Sequence, residues 1–249
     1  MALPPLSPVR IIALALLPTL LPALLLAAAP ARAAEAWGGS VGASSRYVFR
    51  GLLQRGAAAS AHLDLHTRFV DTAFAGVWLS GGPDPRGSYG RQELNVYAGF
   101  DWQPLERWSL SWRAVHYRYP DSRFGRGYDY DDFTATAAFD DRLSLSLSTS
   151  PNTTLFSVHG LVEQRRAHAL EASLRQALWG PVSLLAAAGY YDTRAHFGVG
   201  YHAWHLGLAA RWGSLELTLQ RFGTDGTARR LFRQAAADGY CALGAAWSF

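Results

Sequence analysis

From about residue 34 to the C-terminus, apolar and polar residues alternate with a period of two. Leu94, Val96, Ala98, Phe100 and Trp102 interleave with Glu93, Asn95, Tyr97, Gly99 and Asp101. Leu143, Leu145 and Leu147 interleave with serines, and Leu215, Leu217 and Leu219 with Glu216, Thr218 and Gln220. Successive side chains of a strand point to opposite faces, so each such segment predicts a strand with one apolar face. About twelve are present, near 37–50, 58–70, 72–80, 91–102, 107–119, 131–140, 143–150, 167–178, 181–191, 203–212, 214–222 and 240–249. Their connections alternate between very short, as at Asp71 or Trp179-Gly180, and long, as at 81–90, 151–166 and 223–239. Short turns at one end and long loops at the other predict an all-β fold: one antiparallel transmembrane β-barrel in a bacterial outer membrane. A soluble β-sandwich would also alternate. Mid-strand charges on the polar face, which a barrel keeps in its lumen, favour the barrel.

The aromatic residues sharpen this. Trp37, Trp102, Trp108, Trp179, Trp212 and Trp247 fall beside the short turns. Tyr47, Tyr117, Tyr119, Tyr190, Tyr191, Tyr201 and Tyr240 fall at the opposite ends. The expectation is two girdles at the two membrane interfaces, where amphipathic rings are favoured. The last strand alternates through Cys241, Leu243, Ala245, Trp247 and a terminal Phe249. Trp247 and Phe249 resemble the signal read by the barrel assembly machinery, an expected partner, and Cys241 is expected to face lipid.

Only residues 11–29 are long and apolar enough for a spanning helix. Arg10 before them and Ala31-Arg32-Ala33 after them predict a signal peptide, residues 1–33, cleaved to leave a barrel of 34–249. The mean hydropathy of -0.01 averages this leader with lipid-facing and lumen-facing halves of strands. The lone Cys241 excludes an internal disulfide. Every basic side chain is Arg. Without Arg10 and Arg32, 21 Arg face 19 acids, a balance of +2 that gives no reason to expect nucleic-acid binding.

The stretch Ser45-Arg46-Tyr47-Val48-Phe49-Arg50-Gly51 resembles the S-D-Y-V-F-R-G signature at the first strand of the TorF-type porins, with Arg46 at the Asp position. Gly76-Val77-Trp78 with Ser80, the segment Glu93 to Gly99, and Tyr117-Arg118-Tyr119-Pro120 resemble further motifs of that family in the same order. The resemblance covers the first half of the mature chain. It implies a Gram-negative outer-membrane barrel and a porin, without a substrate.

The polar faces nominate a lumen of mixed charge: His62, Asp64, His66, Arg68, Glu93, Tyr97, Asp101, Arg113, His116, Arg118, Glu171, Arg175, His205, Arg211 and Glu216. Placing His116 and Arg118 with Arg113 requires a β-bulge between Ala114 and Tyr117. Such a lumen either passes small polar solutes or forms a salt-bridged plug in a closed structural or adhesive barrel. An outer-membrane hydrolase is the third possibility. Asp64 and His66 are spaced as a base and its orienter, and Tyr128 to Asp132 could supply an acid pair or a cation site at the outer rim. No serine stands in a nucleophile elbow. The expectation is therefore a passive porin without cofactor or metal, not an enzyme. Arg229, Arg230 and Arg233, with Arg165-Arg166, lie in long loops. There, forked guanidinium groups suit lipopolysaccharide phosphates.

Overall fold

The computed structural model describes residues 37–54, 58–69, 72–83, 91–122, 125–157, 160–161, 163–232, 237 and 239–249. The leader, Asp71 and Arg233 lie outside these residues. Twelve strands form one closed antiparallel barrel. They are β1 (Trp37–Ser44), β2 (Ser60–Arg68), β3 (Ala73–Gly81), β4 (Gln92–Leu105), β5 (Trp108–Arg118) and β6 (Tyr130–Phe139). There follow β7 (Leu143–Thr153), β8 (Arg165–Trp179), β9 (Val182–Asp192), β10 (Tyr201–Trp212), β11 (Leu215–Thr224) and β12 (Tyr240–Ser248). Each strand pairs with its chain neighbours, and β12 returns to β1 with Val41 opposite Trp247 and Ala43 opposite Ala245. Phe249 completes the seam, exchanging backbone bonds with Gly39 at 2.9 and 3.0 Å. No backbone edge is left over, which is what the interior of a bilayer demands.

The alternation sets the two faces. Val41, Leu79, Val96, Phe100, Leu145, Leu147, Leu206, Leu219 and Leu243 point outward and are 41–60% exposed. An apolar belt left uncovered by protein is a lipid-facing surface, so the barrel is membrane-embedded. Cys241 is exposed on that same face.

The short turns need unusual backbone. Asp140 and Asp141 between β6 and β7 have φ of 53° and 52°, and Arg142 N–H donates to the Phe139 carbonyl at 3.0 Å. This is the type I′ turn whose twist matches a tight hairpin. Arg107, in the neighbouring turn, holds Asp140 by a two-pronged ion pair.

The tryptophan girdle is present. Trp37, Trp102, Trp108, Trp179, Trp212 and Trp247 at the short-turn end are 43–74% exposed. The expected tyrosine girdle is not. Tyr119, Tyr191, Tyr201 and Tyr240 at the long-loop end are 3–8% exposed. Tyr117, Tyr191, Tyr201 and Tyr240 stand at inward positions of their strands, so these rings form a collar inside the barrel.

The long loops also carry structure. Helix α1 (Arg194–Phe197) and helix α2 (Gly226–Leu231) pack on the β8–β10 side, where Phe232 lies 5.4 Å from Tyr201 and 5.8 Å from Phe197 between ring centroids. Asp225 caps α2: its carboxylate accepts from Ala228 N–H at 2.9 Å and from His202 N–H at 2.9 Å. Burial raises its pKa, but these donors outweigh burial and hold the group below the ordinary carboxylate value. A lowered folded pKa stabilises the cap above the ordinary carboxylate range, and that contribution is lost as pH falls through the lowered value. Asp225→Ala is expected to remove about 1 kcal/mol from this turn. Faster hydrogen exchange of the Ala228 to Leu231 amides at neutral pH would register it. Unchanged exchange would mean the cap contributes nothing.

Candidate functional site

The signature at residues 45–51 does not continue β1. After Ser44 the chain turns into the lumen as a small hairpin, Val48–Phe49 paired with Leu52–Leu53. Its tip is Arg50-Gly51, with φ of 51° and 76°. Left-handed backbone suits Gly51, where a Cβ would collide with Ala203. At Arg50 it costs on the order of 1–2 kcal/mol. The gain is position: the guanidinium projects from the tip across the lumen.

The hairpin is held on several walls. Arg50 forms an ion pair with Asp132 of β6, whose side chain is 3% exposed. The Tyr201 hydroxyl donates to the Arg50 carbonyl at 3.1 Å, and the Tyr240 hydroxyl to the Gly51 carbonyl at 2.8 Å. Leu53 packs on Tyr240, with Val48 and Phe222 beside it. Tyr47 donates to Glu93 at 3.1 Å, and Asn95 donates to the same oxygen at 2.9 Å. Arg46 stacks over Tyr240, 5.6 Å from its centroid. The collar of tyrosines is thus the seat of the hairpin.

Below the tip lies a cavity of about 360 Å³. Phe49, Arg50, Asp132, Thr134, Ser146, Ser148, Glu171, Tyr191 and His205 are among its lining residues.

Most of the nominated lumen residues stand on two walls. On the β2–β5 wall, Asp64 accepts from Tyr97 at 2.8 Å and contacts His66 Nδ1 at 2.8 Å. Arg113 stacks over the Tyr97 ring at 3.9 Å, His62 stacks on Trp78, and Arg68 pairs with Asp101 at 2.8 Å. On the β8–β11 wall, Arg175 and Arg211 converge on Glu216 at 2.6 and 2.7 Å, and Glu171 accepts from Tyr191 at 2.6 Å. His205 packs on Phe222. Glu93 faces inward but is 2% exposed beneath the hairpin stem, so it seats the hairpin and lines no path.

His116 and Arg118 are corrections. β4 and β5 pair without interruption from Leu94 opposite Arg118 to Trp102 opposite Leu110. There is no bulge between Ala114 and Tyr117. His116 and Arg118 therefore share the outer face with Leu94 and Val96, while Val115 and Tyr117 point inward.

The residues of the catalytic alternatives are hydrogen-bonded within the barrel wall and at its rim. Asp131 is outward, bonded to His116 at 2.8 Å and Asn152 at 2.9 Å, and Asp129 accepts from Tyr119 N–H at 2.9 Å. Asp64 and His66 do touch, as their spacing implied, but belong to the wall network. Among the described residues no group of three or more His, Cys, Asp or Glu converges to hold a metal.

The hairpin tip, its tyrosine seat and the cavity all fall within residues 28–245, which match the model of a bacterial protein family of unknown function, Gcw_chp. The chain belongs to the Gcw_chp family. No curated protein matches this Gcw_chp member. Solved structures similar to the Gcw_chp barrel include porins and an outer-membrane channel. The NanC porin superposes with a TM-score of 0.58 at 8% identity, over 85% of this chain and 98% of its own. The KdgM porin, solved with disordered oligogalacturonate, gives 0.55 at 10% identity over 85% and 99%. An outer-membrane channel from Pseudomonas putida F1 gives 0.54 at 11% identity over 88% and 96%. At such identities the likeness establishes a porin-like fold for this family member.

Proposed function

We propose that this barrel is a passive outer-membrane channel for small polar solutes, narrowed by its own first loop. One observation carries the reading: the hairpin narrows the long-loop end of the lumen but leaves a cavity of about 360 Å³ beneath it, so the interior is constricted and not filled. Below the hairpin the lumen stays polar, with Arg68, Arg113, Arg175 and Arg211 beside Asp64, Asp101 and Glu216. Size and field, not chemistry, are the working principle. The porin-like neighbours and the resemblance of residues 45–51 to the TorF-type porins support the same reading.

In this orientation the short turns and both strand termini face the periplasm and the hairpin faces the cell exterior. Arg118 and Arg166 on the outer face, with Arg229 and Arg230 of α2, then lie at the level of lipopolysaccharide phosphates. Trp247 and Phe249 present outward aromatic rings for the assembly machinery.

The test is planar-bilayer recording of the purified, refolded barrel. Discrete conductance steps smaller than those of an open barrel of twelve strands are expected. A folded, heat-modifiable barrel that never conducts would leave the closed structural barrel as the function.

A further inference from the structure

The cavity beneath the hairpin has a lining that discriminates among solutes. Its volume, about 360 Å³, lies near the lower end of the ~300–1,000 Å³ usual for small-ligand pockets. One wall is made of hydroxyls: Thr134 bonds Ser148 at 2.8 Å, and below them Thr136 bonds Ser146 at 2.9 Å. Each hydroxyl carries one donor and two acceptor sites, so these cross-strand bonds leave capacity for a ligand. Glu171 accepts the Tyr191 hydroxyl through one oxygen, and its other oxygen has no partner among the described residues. Phe49, Tyr191 and Phe222 supply flat apolar faces.

The charges of this lining disfavour an anionic occupant. Arg50 is one cation against two carboxylates, Asp132 and Glu171, with His205 beside them. Asp132 takes up Arg50, so Glu171 leaves the lining negative and an entering anion meets it. An uncharged solute rich in hydroxyls meets no such penalty and satisfies both the free carboxylate oxygen and the hydroxyl wall. The hydroxyls also continue toward the short-turn end, where Ser144 bonds Ser173 at 2.6 Å. The β12–β1 wall bears only small inward residues at Gly38, Ser40, Gly42, Ala242, Gly244 and Ala246. The charged networks stand on the other two walls. This leaves an uncharged track along which a bound solute exchanges similar weak bonds, the condition for entering and leaving a multi-site pore.

We infer that the cavity is a binding subsite for an uncharged polyhydroxylated solute of mono- or disaccharide size, the first station of the path through the lumen. The inference deepens the channel reading. Its binding arm does not require conduction.

Glucose and maltose are compared with glucuronate on the full refolded chain. The readouts are equilibrium dialysis in detergent and sugar-dependent block of the bilayer current. Glucose and maltose are expected to bind in the millimolar range, with glucuronate at least tenfold weaker. Ser146→Ala with Ser148→Ala is expected to weaken maltose about tenfold, the size of one or two lost hydrogen bonds. Glu171→Gln is expected to let glucuronate bind, a gain that misfolding could not produce. Glucuronate binding the unaltered chain as well as maltose would overturn the inference. So would unchanged maltose binding in the folded double serine variant. Ion conduction without sugar binding would refute the subsite and leave the channel. Sugar binding without conduction would uphold the subsite and refute the channel.

Discussion

Arg50→Ala is expected to raise single-channel conductance several-fold while the barrel itself stays folded. The substitution removes the one cation facing Asp132, whose side chain is 3% exposed. Stripping a buried carboxylate of its partner typically costs about 3–5 kcal/mol. The remaining tip bonds, from Tyr201 and Tyr240 to backbone carbonyls, contribute about 0.5–1.5 kcal/mol each. Their sum is smaller than the penalty. The tip therefore lifts from Asp132 while the stem stays seated on Tyr240 and Glu93, water reaches Asp132, and the lumen widens at its narrowest end. Asp132 is already poorly served, because its Oδ1 has no hydrogen-bond partner among the described residues. Replacing both partners by apolar residues, Arg50→Met with Asp132→Leu, removes the buried charge and should restore the small conductance. Bilayer recordings of the three proteins, with heat-modifiability as the check on folding, decide the matter. A folded Arg50→Ala barrel that conducts like the parent would show that the ion pair does not hold the hairpin.

The second large effect concerns the faces of β7. Leu145 lies between Ala137 of β6 and Ala172 of β8, points outward and is 53% exposed. Leu145→Arg puts a guanidinium into hydrocarbon and is expected to cost about 2–4 kcal/mol near the bilayer midplane. Ser146→Arg, one residue on, puts the same group into the aqueous lumen and should cost little. Urea titration in lipid vesicles measures both. Equal losses would mean that the assignment of faces is wrong.

Much of this is legible in the chain alone. The period of two marks the strands, the connection lengths separate the two ends of the barrel, and the tryptophans mark one of them. What failed did so for physical reasons. At β5 the expectation of a bulge rests on reading outward as apolar along the whole strand, which sends His116 and Arg118 to the lumen. The apolar band of an outer-membrane barrel is only about 25 Å tall, and strand ends rise above it. His116, Arg118 and their partner Asp131 occupy that upper zone, where an outward charge meets headgroups.

The tyrosines were sorted by end but not by parity. Tyr191, Tyr201 and Tyr240 stand at inward positions of their strands and could have been recognised as lumen residues on that ground. The hairpin was hidden because Tyr47 to Phe49 extends the alternation of β1. The signal against a continuous strand was local: Val48-Phe49 and Leu52-Leu53 flank Arg50-Gly51, two short apolar runs around a dipeptide ending in glycine. The partner of Arg50 lies 82 residues away, and no spacing rule reaches that far.

The closing of the barrel by its first and last strands has a consequence in time. Chain ends that must find each other across the whole sequence meet late, because loop closure is entropically costly. The hairpin hangs from β1, yet its tip bonds Tyr240, 189 residues distant, and Tyr201, 151 residues distant. Tyr240, on β12, is not in place until β12 has docked on β1. The hairpin is thus the final piece to seat, and its arrival marks a completed barrel: an intermediate caught during insertion has an unobstructed lumen, and the mature protein does not.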